Sequence, residues 1–395
     1  MFPIVTAMGS LPVDSYAEAK ALVAAGCPQA PHCPQLPAVC QEDLLLEQGL
    51  APWERAGLIR RLPDGRPVVD RAADGFADAL ARFSRICGVG ECGVDEPIEW
   101  YSNDESLFAQ KSPNYRRFRQ DLLERAWPGK VNWVKAQLAG PLTTARYVTD
   151  ERGQSLLDDL QLRELVLASA ALQASWMASD LRRLPWPVMI FVDEPGLSGV
   201  GRKSDDPAGC APRGAAELDG AAGAGLGPIE NRGDADCDGN VVDVDLARRF
   251  VQTMAQAVGQ TGALAGLHCC ADTDWSLVLD SGVHVISFDA CRHFEGIVRH
   301  AEAVARFLSR GGLLAWGLVP TEPSELAVAT TEGLLQKLAG QMAVMEDCGV
   351  SGDAMRRQLI LTPACGYGLR TVAEAERAYH LLGQLASRLK NAVRL

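Results

Sequence analysis

No apolar run in this sequence approaches the roughly 20 residues that a bilayer-spanning helix requires, which argues against a helical membrane span. It has no surplus of positive charge either. The 38 Lys and Arg face 50 Asp and Glu, for a formal charge of −12, so neither nucleic acid nor an anionic membrane surface is an expected partner. The opening MFPIVTAMGS carries no basic residue ahead of its apolar run and reads as a strand. No secretory signal is therefore expected, and the expected location is cytoplasmic. Paired C-x-x-C spacing is missing among Cys27, Cys33, Cys40, Cys87, Cys92, Cys210, Cys237, Cys291 and Cys348. In a reducing compartment these read as small apolar fillers or inert surface thiols rather than a disulfide framework.

What is present is ordinary globular composition, 47% hydrophobic and 22% charged over 395 residues, enough for a sizeable core. That length fits two average domains, or one barrel of alternating strands and helices, which commonly needs about 250 residues or more. The order of elements favours the barrel. Phe2–Met8 is a strand candidate and Val13–Ala25 has helical periodicity. Cys27–Pro37 is proline-rich and aperiodic, so it is expected to hold a short second strand within a long loop. Asp43–Gly49, Gly75–Ile86 and Tyr115–Ala126 read as helices, and RLPDGRPVV as a hairpin. From Val131 onward, near-continuous apolar runs alternate with helical stretches: VNWVKAQLAG, PVMIFVD, LAGLHCC, HVISFDA, LLAWGLVPT and LILTPACG. Strands of that kind are parallel and buried on both faces. The count reaches eight, which predicts an α/β fold, a single-domain (β/α)8 TIM barrel over residues 1–395.

One region interrupts the rhythm. Residues 200–242 are rich in Gly, Ala and Asp with almost no large apolar side chain, so a flexible insertion after the fourth strand is expected. Within it, residues 234–245 match the twelve-residue calcium loop. Asp234, Asp236, Asp238, Asn240 and Asp245 are the candidate calcium-ligand positions, with Gly239 at the turn. The alternative is an acidic solvated turn.

The candidate chemistry gathers at strand ends. Ser10, Gly140-Pro141, Asp193, His268, Cys270, Asp289, Pro320-Thr321 and Cys365 each fall at the carboxyl end of a strand candidate, the rim where such barrels carry their active sites. In His268-Cys269-Cys270, alternation points His268 and Cys270 one way and Cys269 the other. One imidazole, two thiolates and one carboxylate (His268, Cys270, Cys365, Asp289) suit tetrahedral zinc. So electron-rich a centre is a poor activator of water, whereas a thiol that binds it loses its proton and stays nucleophilic. Attack on a methyl group fits that better than hydrolysis. Without metal, the same residues would be a satisfied core histidine and buried free cysteines. Asp193-Glu194 reads as an acid/base pair, a grip for an ammonium group, or an Asp capping the next helix. Ser10 reads as a ligand contact or a turn residue.

GSLP (Gly9–Pro12), LAGPLTT (Leu138–Thr144), VDEPGL (Val192–Leu197), His268-x-Cys270 and TPACG (Thr362–Gly366) together resemble the C-terminal catalytic barrel of cobalamin-independent methionine synthase. More loosely, they resemble the uroporphyrinogen-decarboxylase-like superfamily, which includes methylcobamide:thiol methyltransferases. The resemblance extends over nearly the whole chain outside the insertion. It implies zinc on His268, Cys270, Asp289 and Cys365, with homocysteine held through its carboxylate and amino groups by Ser10 and Asp193. Departures go with it. The chain is about half the length of the folate-using synthases, and WGLVPT lacks the His-Ser that they carry on the seventh strand. PQLP stands where they offer a carboxylate. Short relatives of this kind are expected to take the methyl group from a methylcobamide, held by a separate corrinoid protein. A different small thiol of the coenzyme M type, a metal-free porphyrinogen decarboxylase, and a zinc- or corrinoid-binding accessory protein are the alternatives.

Overall fold

The structure, a computed structural model, describes residues 3–89, 106–198, 200 and 242–392. Seven parallel strands form one sheet in the order Ile4–Val5, Leu359–Pro363, Leu313–Val319, Val285–Asp289, Leu264–Cys269, Val188–Asp193 and Val134–Ala139. The expected second strand closes the ring. Gln35 donates its N–H to Gly9 O (2.8 Å) and its carbonyl accepts from Leu11 (2.9 Å), while Cys33 donates to Lys135 O (2.8 Å) and Lys135 to Pro31 O (3.0 Å). Segment 31–35 thus bridges the two edges of the sheet, making eight staves. Its prolines are compatible with this because the N–H groups that matter belong to Cys33 and Gln35, and Pro34 sits between them. The fold is an α/β TIM barrel.

Strand alternation sorts the apolar residues into two populations. Ile190 and Val192, Leu267 and Cys269, Ile286 and Phe288, Leu314 and Trp316 face outward and join the large core between sheet and helices. Ile4, Met8, Met189, Phe191, Val285, Leu313, Ala315 and Ile360 make a separate small cluster on the inner face of the barrel. The Phe191 ring claims space there: a Cβ on Gly266 would lie 2.4 Å from it, so the neighbouring strand keeps glycine.

Helices return each strand to the next. The longest, Leu160–Leu181, starts where the Asp159 side chain accepts the Leu162 N–H (2.8 Å), satisfying one of the orphan donors of its first turn. The hairpin appears as Ile59–Arg61 antiparallel to Pro67–Val69, turning at Gly65 (φ 83°), with Thr149–Asp150 added as a third strand. No helix of the described residues is long and apolar enough to cross a membrane.

Most of the predicted insertion, including Asp234, Asp236, Asp238 and Asn240, lies outside the described residues. Asp245 is described. It is exposed in the first turn of the helix Val244–Gly259, 2.5 Å from Arg248 Nη1, and its N–H bonds the capping Asp243 side chain.

A candidate metal centre at the barrel mouth

His268 is an inward residue of the strand Leu264–Cys269, Cys270 follows that strand directly, and Cys365 lies two residues beyond Leu359–Pro363. Their ligand atoms all lie within 4.8 Å of one another. Tetrahedral zinc bonded at about 2.0–2.3 Å sets such atoms about 3.5–3.8 Å apart, so the trio stands close to a metal-ready spacing. The imidazole supplies the test of fit. Its Nδ1 lies 3.0 Å from Ser287 Oγ, which faces it from the paired position on the next strand, and its Nε2 is buried with no hydrogen-bond partner. With the proton on Nδ1 and donated to Ser287, the Nε2 lone pair is left for a metal, the arrangement in which an outer partner fixes tautomer and ring orientation. The Cys365 thiol is held well above its ordinary range, first by the adjacent Cys270 sulfur and then by burial. A dication would reverse that suppression of Cys365. Cys269, between His268 and Cys270 in sequence, faces the helix layer. Burial pushes its thiol up to about 12, and it bonds Ala271 O.

Asp289 is not brought into the trio. Its Oδ1 accepts the N–H groups of Cys291 (2.7 Å) and Arg292 (3.0 Å), so the carboxylate caps its own loop. The described donor set therefore has three members, where the sequence suggested four.

Ser10 holds the loop that carries Cys365. Its carbonyl accepts from Tyr367 (2.9 Å) and its hydroxyl from Gly368 (3.4 Å). A Cβ on Gly366 would fall 2.0 Å from Ser10 Oγ, which is why TPACG needs its glycine. Gly9 is constrained in the same way, since a Cβ there would meet the Gln137 amide at 1.3 Å.

The two adjacent carboxylates have opposite duties. Asp193 faces the mouth beside His268, its partner in strand register, and is only half-buried, although its Oδ1 is sealed without a hydrogen-bond partner. Burial raises its carboxyl while His268 and Lys135 pull it down. Glu194 points outward and takes the Leu142 N–H (2.9 Å), the Thr143 N–H (2.8 Å) and the Thr143 hydroxyl (2.6 Å) at the start of the helix Pro141–Tyr147. It caps the helix that precedes it in sequence, so capping falls to Glu194 instead of Asp193. Burial still pushes its carboxyl up to about 7 against those three bonds.

Four further residues belong to the site or its support. Ser287 orients His268. Tyr147, whose hydroxyl is raised by burial and then, against Arg146, by Cys269, Cys270 and Glu194, stands within electrostatic reach of the mouth. Lys135 and Gln137 lie in the lumen, and alternation within the otherwise apolar VKAQLA was the signal that could have found them.

No protein-family model and no curated protein matches this sequence. Among solved structures, the chain is similar to a xylose isomerase-like TIM barrel protein from Mycobacterium smegmatis in complex with magnesium, at 13% identity and a TM-score of 0.32 over 85% of this chain and 95% of that one. It is also similar to a modular endo-beta-1,4-mannanase from Cellulomonas fimi, at 13% identity and a TM-score of 0.33 over 77% of this chain and 61% of that one. Likenesses this distant carry no functional argument.

Proposed function

We propose that this chain is a zinc-dependent S-methyltransferase that converts homocysteine to methionine, taking the methyl group from a methylcobamide on a separate corrinoid protein. The observation that carries the proposal is the convergence of His268, Cys270 and Cys365 at the barrel mouth, with the Nε2 of His268 unclaimed. Zinc held by these three would promote loss of the proton from an acceptor thiol while the two cysteine thiolates keep that sulfur electron-rich. The chain's own groups supply the rest. Ser287 holds the imidazole in one orientation, and Ser10 clamps the Cys365 loop. Asp193 offers a carboxylate for the amino group of the acceptor, and Asp289, bonded to its own loop, does not compete for the trio. Glu194 is occupied at a helix terminus and is not free to act as a base. A porphyrinogen-type decarboxylase would want a basic pocket, whereas this mouth presents Asp193 and two thiols.

The test is metal analysis of the purified protein beside an assay for methionine formed from methylcobalamin and homocysteine. Near-stoichiometric zinc and methionine formation are expected, both lost in Cys270→Ser and Cys365→Ser. A wild-type protein that purifies without zinc, takes none up and makes no methionine ends the proposal.

A further inference from the structure

One charge in the lumen has no structural explanation. Lys135 is fully buried, its Nζ donating to Gln137 Oε1 at 2.7 Å and lying 4.5 Å from the centre of the Phe191 ring. Phe191 belongs to the lumen cluster, so this ammonium sits inside the barrel. Gln137 satisfies one of its three donors and spends its own amide on Gln35 (2.7 Å). Asp193, on the paired strand, is within electrostatic reach of Lys135. Among the described residues the two nevertheless form no ion pair, and Asp193 Oδ1 has no hydrogen-bond partner at all. The lumen hydroxyls of Thr6 and Thr362, on neighbouring strands, are likewise buried without partners. A lysine serving only the fold would be expected to have its buried donors satisfied. Opposite charges held apart beside unpaired hydroxyls fit a guest that carries the complementary pair.

We infer that Lys135 is a specificity residue that receives the carboxylate of a zwitterionic amino-acid thiol whose ammonium group faces Asp193. Phe191 forms the wall under Lys135 and Gln137 holds its Nζ in place, so the cation is set before the ligand arrives. Ser10 accepts the Gly368 N–H and keeps its own O–H to donate to the same carboxylate.

The inference rests on the thiol-methylation proposal, and its test separates the two. Calorimetry on the purified protein, with bound metal quantified in each sample, compares homocysteine, its decarboxylated amine and its deaminated acid. Wild type should favour homocysteine over the amine. Lys135→Met should weaken homocysteine by about 10- to 100-fold and leave the amine unchanged, as expected for one lost charge-assisted bond. Lys135→Arg should restore part of the loss, and Asp193→Asn should weaken the amine but not the acid. A buried lysine exchanged for an apolar side chain of like volume is often tolerated. Unfolding midpoints check this, and Lys135→Gln carries the same comparison if the Met variant unfolds. Wild type that binds homocysteine no better than the amine, or a Lys135 variant that weakens both alike, overturns the inference. Metal-free, inactive wild type that still discriminates through Lys135 overturns only the methylation proposal.

Discussion

Two faces of the same strands meet very different surroundings. Outward residues such as Cys269, Phe288 and Trp316 sit in a continuous apolar layer under the helices. Inward residues one position away include His268, Ser287 and Asp193, next to a lumen that also holds Lys135 and Gln137. Backbone conformation is alike on both faces, so the direction of each side chain separates packing from chemistry. Consecutive residues show it most clearly: Cys269 is an inert filler and Cys270 a candidate ligand, Asp193 faces the mouth and Glu194 caps a helix.

That contrast can be broken by substitution. The largest effect is expected at the cysteines. Cys365→Ser and Cys270→Ser should abolish stoichiometric metal, whereas Cys269→Ser should keep it and lower only stability, as metal analysis and thermal unfolding would show. Equal metal loss in all three would erase the distinction between the faces. Ser287→Ala comes next, with about 10- to 100-fold weaker zinc binding in a competition titration, because an imidazole that loses its outer partner is free to turn. Glu194 sharpens the contrast through pH. Its folded carboxyl sits near 7 against an ordinary 4.5, so the folded chain binds more protons between those values. Stability contributed by this group is therefore full below pH 4.5 and falls as pH rises toward 7, by about 3 kcal/mol at most. Urea unfolding at several pH values should show that fall in wild type and a flatter profile in Glu194→Gln. The smallest change is expected from Gly266→Ala, where the new methyl meets the Phe191 ring and overpacks the lumen at a cost of about 1–3 kcal/mol. A neutral result there would mean that the lumen is looser than the helix layer.

Much of this was legible in advance because parallel strands buried on both faces leave near-continuous apolar runs. Seven staves declared themselves in that way. The eighth, segment 31–35, has no such run, since it keeps its place through a few backbone bonds spaced between prolines. The convergence of His268, Cys270 and Cys365 could be read because they lie at strand ends, and strand ends converge in a barrel. Asp289 ends a strand as well, but a carboxylate can turn back to its own loop as readily as toward a metal, and that choice leaves no trace in residue order. Lys135 went unread because one cation inside an apolar run resembles a stem that reaches for solvent. Only the closed ring shows that it has no solvent to reach.

The bond between Ser10 and Gly368 joins residues 358 positions apart. It fastens the first stave to the turn that presents Cys365, so the last of the three candidate ligands to be synthesised meets the other two only once the ring has shut. A chain synthesised only as far as Cys270 would own the imidazole and the first thiol yet lack the third donor. If the trio holds a metal, its retention would report that the first and last staves have met.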